Sequence, residues 1–261
     1  MNSIKLEFAP SGVATVTLTQ GARGNPMDGV FVVDFKQAVM QLYDMPGLRA
    51  VLLRAEGQNF SVGGDLKSLI QQVDKLPSLV RDWTGSLHMG LARLWHLPVP
   101  IVAEVQGLAV GGALGLMAGC DIVICADSSQ FGAAFAKIGF SCDSGTSAVL
   151  THRMGSARAK RFQLLGETLS ATQAQLAGLV DRVAPAASLA QEAATTVNAL
   201  AEGPTLAYGE IKRLFLRAAG AQLEAQLEDE ALTLARVAGS SDSKEGITAF
   251  SQRRAAVFKG T

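Results

Sequence analysis

The sequence predicts an α/β protein with a mainly parallel sheet, and three observations lead to this class. Short apolar segments of strand length alternate with longer segments of helical periodicity, which favours parallel strands joined by helices. Glycine and proline mark many of the transitions. Hydrophobic residues make up 48% of the 261 residues and charged residues 18%, below the roughly 25% of an average chain. This composition indicates a large core and surface buried between subunits.

The first part of the chain predicts two strands, a helix and a third strand. Ile4–Phe8 and Val13–Leu18 alternate apolar and polar residues on either side of a Pro-Ser-Gly sequence, which predicts a strand, a turn and a strand. Val30–Tyr43 carries apolar residues at helical spacing. Arg49–Arg54 is short and mostly apolar, as is typical of a buried strand.

The middle and the end of the chain continue this alternation. We expect strands over Ile101–Val105, Asp121–Ala126, Gln130–Phe135 and Gly178–Val183, and helices over Asp65–Val73, Leu79–Leu97, Gly111–Gly119, Ala157–Leu165 and Ala171–Ala177. From Leu189 the pattern is almost entirely helical, with breaks near Gly203-Pro204 and Gly239. We expect this last part to form either a separate small layer or an element through which subunits assemble.

Charge and composition exclude several functions. The 23 basic residues balance the 23 acidic ones, whereas a nucleic-acid surface needs a basic excess. Leu108–Cys120, the longest segment without a polar side chain, is shorter than the about 18 residues of a membrane helix, and the first residues show no signal-peptide pattern. Cys120, Cys125 and Cys142 lie in apolar sequence and are expected to be free, buried thiols. We therefore expect a soluble, cytoplasmic protein that binds neither nucleic acid nor membrane.

Motifs for nucleotide, nicotinamide, zinc or serine-hydrolase chemistry are absent from the sequence. It contains no GxxxxGK[ST], GxGxxG, HExxH or GxSxG pattern. His88, His96 and His152 lack the spacing of metal ligands. We expect no metal and no resident cofactor.

Two glycine-rich turns carry the clearest functional signal. Phe60–Leu66 follows the predicted strand at Arg49–Arg54, and Gln106–Gly115 follows the one at Ile101–Val105. Backbone N–H groups at a helix start have no intrahelical acceptor, and glycine lets a ligand approach them closely. Two such turns facing each other would form an oxyanion hole with two donors. Taken singly, either turn also fits ordinary packing of a strand against a helix.

These turns belong to a longer ordered pattern that resembles the crotonase (enoyl-CoA hydratase/isomerase) superfamily. The pattern continues with Gly119–Ala126, Phe131, Gly139, Asp143-Ser144-Gly145, Arg153-Met154-Gly155, Ala159, Gly166–Ala171 and Gly178-Leu179-Val180. The resemblance implies a spiral β/α core over residues 1–195 and a C-terminal helical region over residues 196–261 that assembles trimers and covers the active site. It also implies acyl-CoA thioester substrates, with coenzyme A as part of the substrate and not a cofactor, and a homotrimer or a hexamer of two trimers.

The resemblance assigns stabilisation of a thioester enolate to the backbone N–H groups of Gly64 and Gly112. Hydratases of the family also carry two glutamates, but the corresponding positions here are Gly115 and Phe135. Neither side chain can transfer a proton, so the sequence does not favour hydration.

Asp143 is the carboxylate that resembles a catalytic residue of the family. A subgroup with an aspartate at this place includes 1,2-epoxyphenylacetyl-CoA isomerases, dienoyl-CoA isomerases and 4-chlorobenzoyl-CoA dehalogenase. The isomerases usually have proline before this aspartate, where Cys142 stands here. Outside the family context, Asp143-Ser144-Gly145 is a good helix-capping sequence.

His88 is a second candidate base, because the dehalogenase has a histidine at a similar place and histidine titrates near neutral pH. The alternative is a core or surface histidine on an amphipathic helix. The dehalogenase has a tryptophan where Phe135 stands, and phenylalanine has no donor that could orient an aspartate.

The sequence therefore predicts an enoyl-CoA isomerase with Asp143 as acid and base. The alternatives are a 2-enoyl-CoA hydratase, an aryl-CoA dehalogenase-like hydrolase and a non-catalytic acyl-CoA-binding protein. The predicted substrate contacts are Val62, Asp65, Leu66, Leu87, Gly111, Leu114, Gly115 and Phe135, with Arg23 or Lys259 at a coenzyme A phosphate.

Overall fold

Two sheets organise the computed structural model, which describes residues 1–218, 234, 236 and 238–261. The strands are β1 (Ile4–Phe8), β2 (Val13–Leu18), β3 (Ala50–Ala55), β4 (Ile101–Val105), β5 (Leu108–Val110), β6 (Ile122–Ala126), β7 (Gln130–Gly132), β8 (Thr168–Ser170) and β9 (Arg182–Ala184). The helices are α1 (Gly29–Tyr43), α2 (Leu66–Gln71), α3 (Leu76–Trp95), α4 (Gly112–Ala118), α5 (Thr146–Met154), α6 (Ser156–Leu165), α7 (Ala171–Leu176), α8 (Leu189–Ala201), α9 (Thr205–Ala218) and α10 (Ser241–Ser251).

The larger sheet has six strands in the order β1-β2-β3-β4-β6-β9. β1 and β2 form an antiparallel hairpin, and the other neighbours in this sheet run parallel. The smaller sheet has the order β5-β7-β8. The chain passes from the larger sheet to the smaller one after β4 and again after β6, so that successive turns of chain stack on each other. This arrangement confirms the α/β class with mainly parallel strands.

Each face of the larger sheet has its own hydrophobic core. Successive residues of a strand point to opposite faces. In β4, Ala103 belongs to the core that includes residues of α1, α3 and α4, whereas Val102 belongs to the core formed with α8. Phe31 and Phe35 of α1 stack in the larger core with their ring centroids 5.6 Å apart. Because both faces are covered, the loops that follow β3 and β4 start from buried strands.

Two strands differ from their predicted bounds. Residues 178–181 form a turn in which Leu179 and Val180 are buried, and β9 begins only at Arg182. Burial of these apolar residues in the core, without pairing to a neighbouring strand, explains why the prediction of a strand over Gly178–Val183 was too long. The predicted strand over Gln130–Phe135 likewise ends with β7, and a 3-10 turn follows over residues 135–138.

Arg49, directly before β3, ties the C-terminal third of the chain to the sheet. Its guanidinium donates to the carbonyl oxygens of Ala201 at 2.6 Å, Gly203 at 2.7 Å and Phe258 at 3.4 Å. The predicted breaks near residues 203–204 and 239 are present. The predicted division between residues 195 and 196 falls within α8, and the predicted helical pattern over residues 219–233 lies outside the described residues.

In the ranges that the structure describes, no helix combines the length and the apolar character needed to span a bilayer.

Glu104 of β4 is a buried carboxyl group with an unused acceptor. The residue is 9% exposed, and its Oε2 has no hydrogen-bond partner within the described ranges. Burial raises the pKa of Glu104, and the neighbouring Arg54 partly offsets this effect. The folded state therefore holds this proton more tightly than the unfolded state. The contribution of protonated Glu104 to the free energy of unfolding is fully present below the pKa that Glu104 has in the unfolded chain. It is lost as the pH rises through the higher pKa of the folded protein.

We expect Glu104→Gln to raise the free energy of unfolding by about 1 kcal/mol at neutral pH, because it removes a buried charge. The gain should disappear below pH 4.5, the ordinary pKa of the group. Urea unfolding of both proteins across the pH range measures the difference. Glu56→Gln, at an exposed position, is the control. A gain that persists unchanged in acid would contradict this explanation.

Candidate active site

The two glycine-rich turns lie edge to edge. Ser61 donates its N–H to the carbonyl oxygen of Leu108 at 3.0 Å and accepts from the N–H of Val110 at 3.1 Å. Gly63 has φ +81°, and a Cβ atom there would lie 2.5 Å from the carbonyl oxygen of Val110. The close approach of the two turns therefore requires glycine at this position.

The N–H groups of Gly64 and Gly112 are unused donors of these turns. Neither has a hydrogen-bond acceptor among the residues that the structure describes, and both residues line the same cavity. Gly111 has φ +57° and turns the chain from β5 into α4, so that Gly112 is the first residue of that helix. A Cβ atom at Gly64 or Gly111 would enter open space. Two unused donors thus border a volume that a ligand can occupy.

The cavity beside the turns measures about 620 Å³ and has a mainly apolar wall. The predicted residues that line it are Val62, Gly64, Leu66, Leu87, Gly111, Gly112, Phe135 and Asp143. Further lining residues that the sequence did not reveal are Val32, Val80, Trp83, Ile138 and Phe140. Trp83 stands four residues before Leu87 on α3, so helical spacing from a predicted contact could have identified it. Such a wall suits a bulky apolar group with few polar atoms.

Among the described residues that line the cavity, Asp143 is the only carboxylic acid. Its Oδ1 lies 2.6 Å from Nε2 of His88, and the hydroxyl of Ser144 lies 3.4 Å from Oδ2. The carbonyl oxygen of Asp143 accepts from the N–H and the hydroxyl of Thr146. Helix α5 begins after Gly145 without a side-chain cap, so the helix-capping interpretation of the Asp143 side chain is wrong. The carboxylate is available to the cavity.

Trp95 supports the loop that carries Asp143. A Cβ atom at Gly145 would lie 2.5 Å from the indole ring of Trp95, and one at Gly119 would overlap the same ring. Ser144, between Asp143 and Gly145, is 1% exposed. Its backbone has φ +56°, a conformation that residues other than glycine seldom adopt. The packing around the loop therefore determines its backbone conformation.

Gly115 is a packing residue and does not line the cavity. A Cβ atom at this position would overlap the carbonyl oxygen of Ser144. The absent side chain lets the loop with Asp143 lie directly against α4. Leu114 is fully buried in the core and does not reach the cavity wall either. The structure thus places two predicted contacts, Leu114 and Gly115, in the packing beside the cavity.

Arg23 and Asp65 form an ionic cluster beside the first turn. The guanidinium of Arg23 pairs with Asp65 and with Asp28, each at 2.9 Å. Burial alone would raise the pKa of Asp65, but hydrogen bonds, including one from the Ser68 hydroxyl, and the charge of Arg23 hold it below its ordinary value. Arg23, Asp65 and the exposed Lys259 do not line the cavity. Their predicted contacts with substrate stay predictions.

Cys142 is exposed on the cavity wall, whereas Cys120 and Cys125 are buried. The expectation of three buried thiols is therefore wrong for Cys142, which lies on the loop before Asp143. Burial raises the pKa of the Cys120 thiol and of the Cys125 thiol to about 12. Since the thiolate is the reactive form, the three cysteines should differ strongly in reactivity.

We expect an alkylating reagent to modify Cys142 alone in the folded protein and all three cysteines after unfolding. Exposure favours Cys142, and the buried thiols are both shielded and protonated. Mass spectrometry of digested protein identifies the modified peptide. Cys142→Ser should leave the folded protein unmodified on the same time scale. Equally fast modification of Cys120 or Cys125 would contradict the assignment.

Comparisons with known proteins identify the family of this chain. The family model for enoyl-CoA hydratase/isomerase matches residues 9–261. The 1,2-epoxyphenylacetyl-CoA isomerase of Escherichia coli (strain K12) is 33% identical over 257 residues, which cover 98% of each chain. The 4-chlorobenzoyl coenzyme A dehalogenase-1 of Arthrobacter sp is 28% identical over 240 residues, which cover 92% of this chain and 87% of the dehalogenase.

A solved structure gives the same result for the fold. The enoyl-CoA hydratase from Polaromonas sp. JS666 superposes with a TM-score of 0.91 at 27% identity, and the match covers 98% of this chain and 99% of that one. These relatives are named as an isomerase, a dehalogenase and a hydratase. Their names therefore indicate a common family but not a common reaction. With the spiral of two sheets, the paired glycine turns and a family match over residues 9–261, this chain belongs to the enoyl-CoA hydratase/isomerase family of acyl-CoA enzymes.

Proposed function

We propose that the protein is an enoyl-CoA isomerase that moves a double bond between C3–C4 and C2–C3 of an enoyl thioester. One observation carries the proposal: within the described part of the cavity wall, Asp143 is the only carboxylic acid. A single carboxylate can take a proton from one carbon and return it to another two atoms away. Gly115 and Phe135, where hydratases have glutamates, can do neither.

The proposed reaction uses Asp143 and the two unused N–H groups. Asp143 takes the proton from C2, and the electron pair of that C–H bond delocalises onto the thioester carbonyl oxygen. The N–H groups of Gly64 and Gly112 stabilise the negative charge on this oxygen. The oxygen then returns its electron pair and re-forms the carbonyl, and the C1–C2 π electrons become the double bond between C2 and C3. The π electrons of the C3–C4 bond take the proton from Asp143 at C4.

Hydration and dehalogenation have less support from the same residues. Hydration needs a base for water and an acid for the α-carbon, whereas the described wall offers one carboxylic acid. In the dehalogenase a tryptophan N–H orients the nucleophilic aspartate, and Phe135 has no donor at that place. A protein that only binds acyl-CoA would not need Asp143 beside two unused N–H groups, because these groups serve a charge that develops in the transition state.

The proposal includes a homotrimer, or a hexamer of two trimers, in the cytoplasm. Apolar side chains on the C-terminal helices support assembly: Ile211 and Phe215 of α9 are 50% and 77% exposed, and Ile247 of α10 is 71% exposed. Large apolar side chains that are exposed on one chain can be covered by a neighbouring subunit. We also propose that Arg23 contacts a phosphate of coenzyme A.

The test is to incubate the protein separately with a 3-enoyl-CoA, a 2-enoyl-CoA and a saturated acyl-CoA. Mass spectrometry and the ultraviolet absorbance of the conjugated thioester follow each reaction. An isomerase interconverts the two enoyl-CoAs at constant mass and leaves the saturated thioester intact. Addition of one water would favour the hydratase, and no change in either enoyl-CoA would exclude the proposed isomerisation of those substrates.

A further inference from the structure

His88 and Asp143 form a pair that leads from the cavity wall to the solvent. Nε2 of His88 lies 2.6 Å from Oδ1 of Asp143. Asp143 lines the cavity, whereas His88 does not. The His88 side chain is 52% exposed and the Asp143 side chain 32%. The contact therefore connects a carboxylate on the cavity wall to an imidazole that is half in solvent.

The contact joins two packed elements of the structure. His88 lies on α3 one turn before Leu91, which is 1% exposed and anchors the helix in the core. The loop with Asp143 rests on Trp95 of the same helix, since a Cβ atom at Gly145 would lie 2.5 Å from the indole. Both partners are thus positioned relative to α3. Such support holds two side chains in one relative geometry.

We propose that His88 is a proton relay between Asp143 and solvent, an inference that rests on the isomerase function proposed above. The neutral imidazole accepts at Nε2 the proton that Asp143 has taken from C2, and Nδ1 releases its own proton to water. The reverse transfer brings a solvent proton to Asp143 before C4 is protonated. His88 contacts Asp143 and does not line the cavity, so it acts as a positioning residue through Asp143.

The relay determines the origin of the proton that arrives at C4. Without the relay, the proton on Asp143 exchanges more slowly with solvent, so Asp143 returns more of the protons that it removed and product formed in heavy water carries less deuterium. With the relay, the carboxyl group exchanges between the two steps, and C4 receives deuterium. The deuterium content per product molecule therefore reports the relay independently of the rate of isomerisation.

The experiment follows conversion of a 3-enoyl-CoA in heavy water at low conversion and reads the deuterium content of the product by mass spectrometry. We expect most of the wild-type product to be deuterated. His88→Gln should lower the ratio of deuterated to undeuterated product by about 10-fold, because glutamine keeps a hydrogen bond but cannot pass a proton. Added imidazole should restore deuterium incorporation in His88→Ala. His152→Gln, at an exposed position on α5, is the matched control and should leave the ratio unchanged.

The relay and the isomerase function fail in different ways. Undeuterated wild-type product, or an equal deuterium ratio in the wild type and in His88→Gln, would overturn the relay while isomerisation stands. Absence of isomerisation by the wild type would overturn the proposed function and the relay with it. Restoration of deuterium by imidazole in His88→Ala would support the relay even where the glutamine variant folds poorly.

Discussion

Asp143→Asn is expected to lower the rate of enoyl-CoA isomerisation by about 10²- to 10⁴-fold, because an amide cannot accept the proton from C2. The substitution preserves the shape of the side chain and a possible hydrogen bond to His88. The carboxylate is 32% exposed, so the change leaves no deeply buried group without a partner. Thermal unfolding measured on the same preparations should be close to that of the wild type.

Asp82→Asn is the matched control for this substitution. Asp82 is exposed on the same helix as His88 and does not line the cavity, so this variant should keep the wild-type rate. An Asp143→Asn protein that isomerises nearly as fast as the wild type would remove Asp143 from the reaction. His88 would then be the remaining candidate for the base.

Gly115→Glu is expected to destabilise the protein without creating a hydratase, although it restores the residue type found in hydratases. Its Cβ atom would overlap the carbonyl oxygen of Ser144. Overpacking of this kind typically costs about 1–3 kcal/mol, and more where the backbone must move. For a chain of this size each kcal/mol lowers Tm by about 2–4 °C. Because the displaced loop carries Asp143, isomerisation should fall as well.

Gly85→Glu is the control for the added side chain. Gly85 is exposed on α3, and a Cβ atom there would meet no atom within 4 Å. Glycine in a helix interior is less favourable than glutamate by up to about 1 kcal/mol, so this variant should be as stable as the wild type or more so. Circular dichroism during heating compares the proteins. An unchanged Tm together with hydratase activity in Gly115→Glu would show that the packing around Ser144 yields easily.

The central strands of the larger sheet, β2, β3, β4 and β6, could be predicted because their mostly apolar sequences reflect burial on both faces. The predicted strand over Ile101–Val105 has the same bounds as β4. β5 and β8 have three residues each, which is too few for any periodicity to appear. They exist because β7 pairs with both of them, and such pairing depends on the whole fold. Helix α5 was not predicted either, since it is short and begins after glycine without a capping side chain.

The candidate site could be predicted where it depends on local backbone. The two glycine turns are visible as local sequence patterns, and the resemblance to the family then singled out Gly64 and Gly112 within them. The direction of the Asp143 side chain depends on His88, which is 55 residues away in sequence. The pairing of Arg23 with Asp65 spans 42 residues. Such contacts form between segments that only the folded chain brings together, and no local pattern records them.

Arg49 makes hydrogen bonds to segments that are synthesised long after it. Its hydrogen bonds to Ala201, Gly203 and Phe258 span 152, 154 and 209 residues. The ribosome makes these three carbonyl groups long after the strand that follows Arg49, and contacts across long separations form slowly because the chain must close a large loop. The guanidinium therefore lacks these three acceptors until the later segments of the chain have been made. The hydrogen bond to Phe258 is the last of the three that can form, because Phe258 follows Ala201 and Gly203 in the sequence.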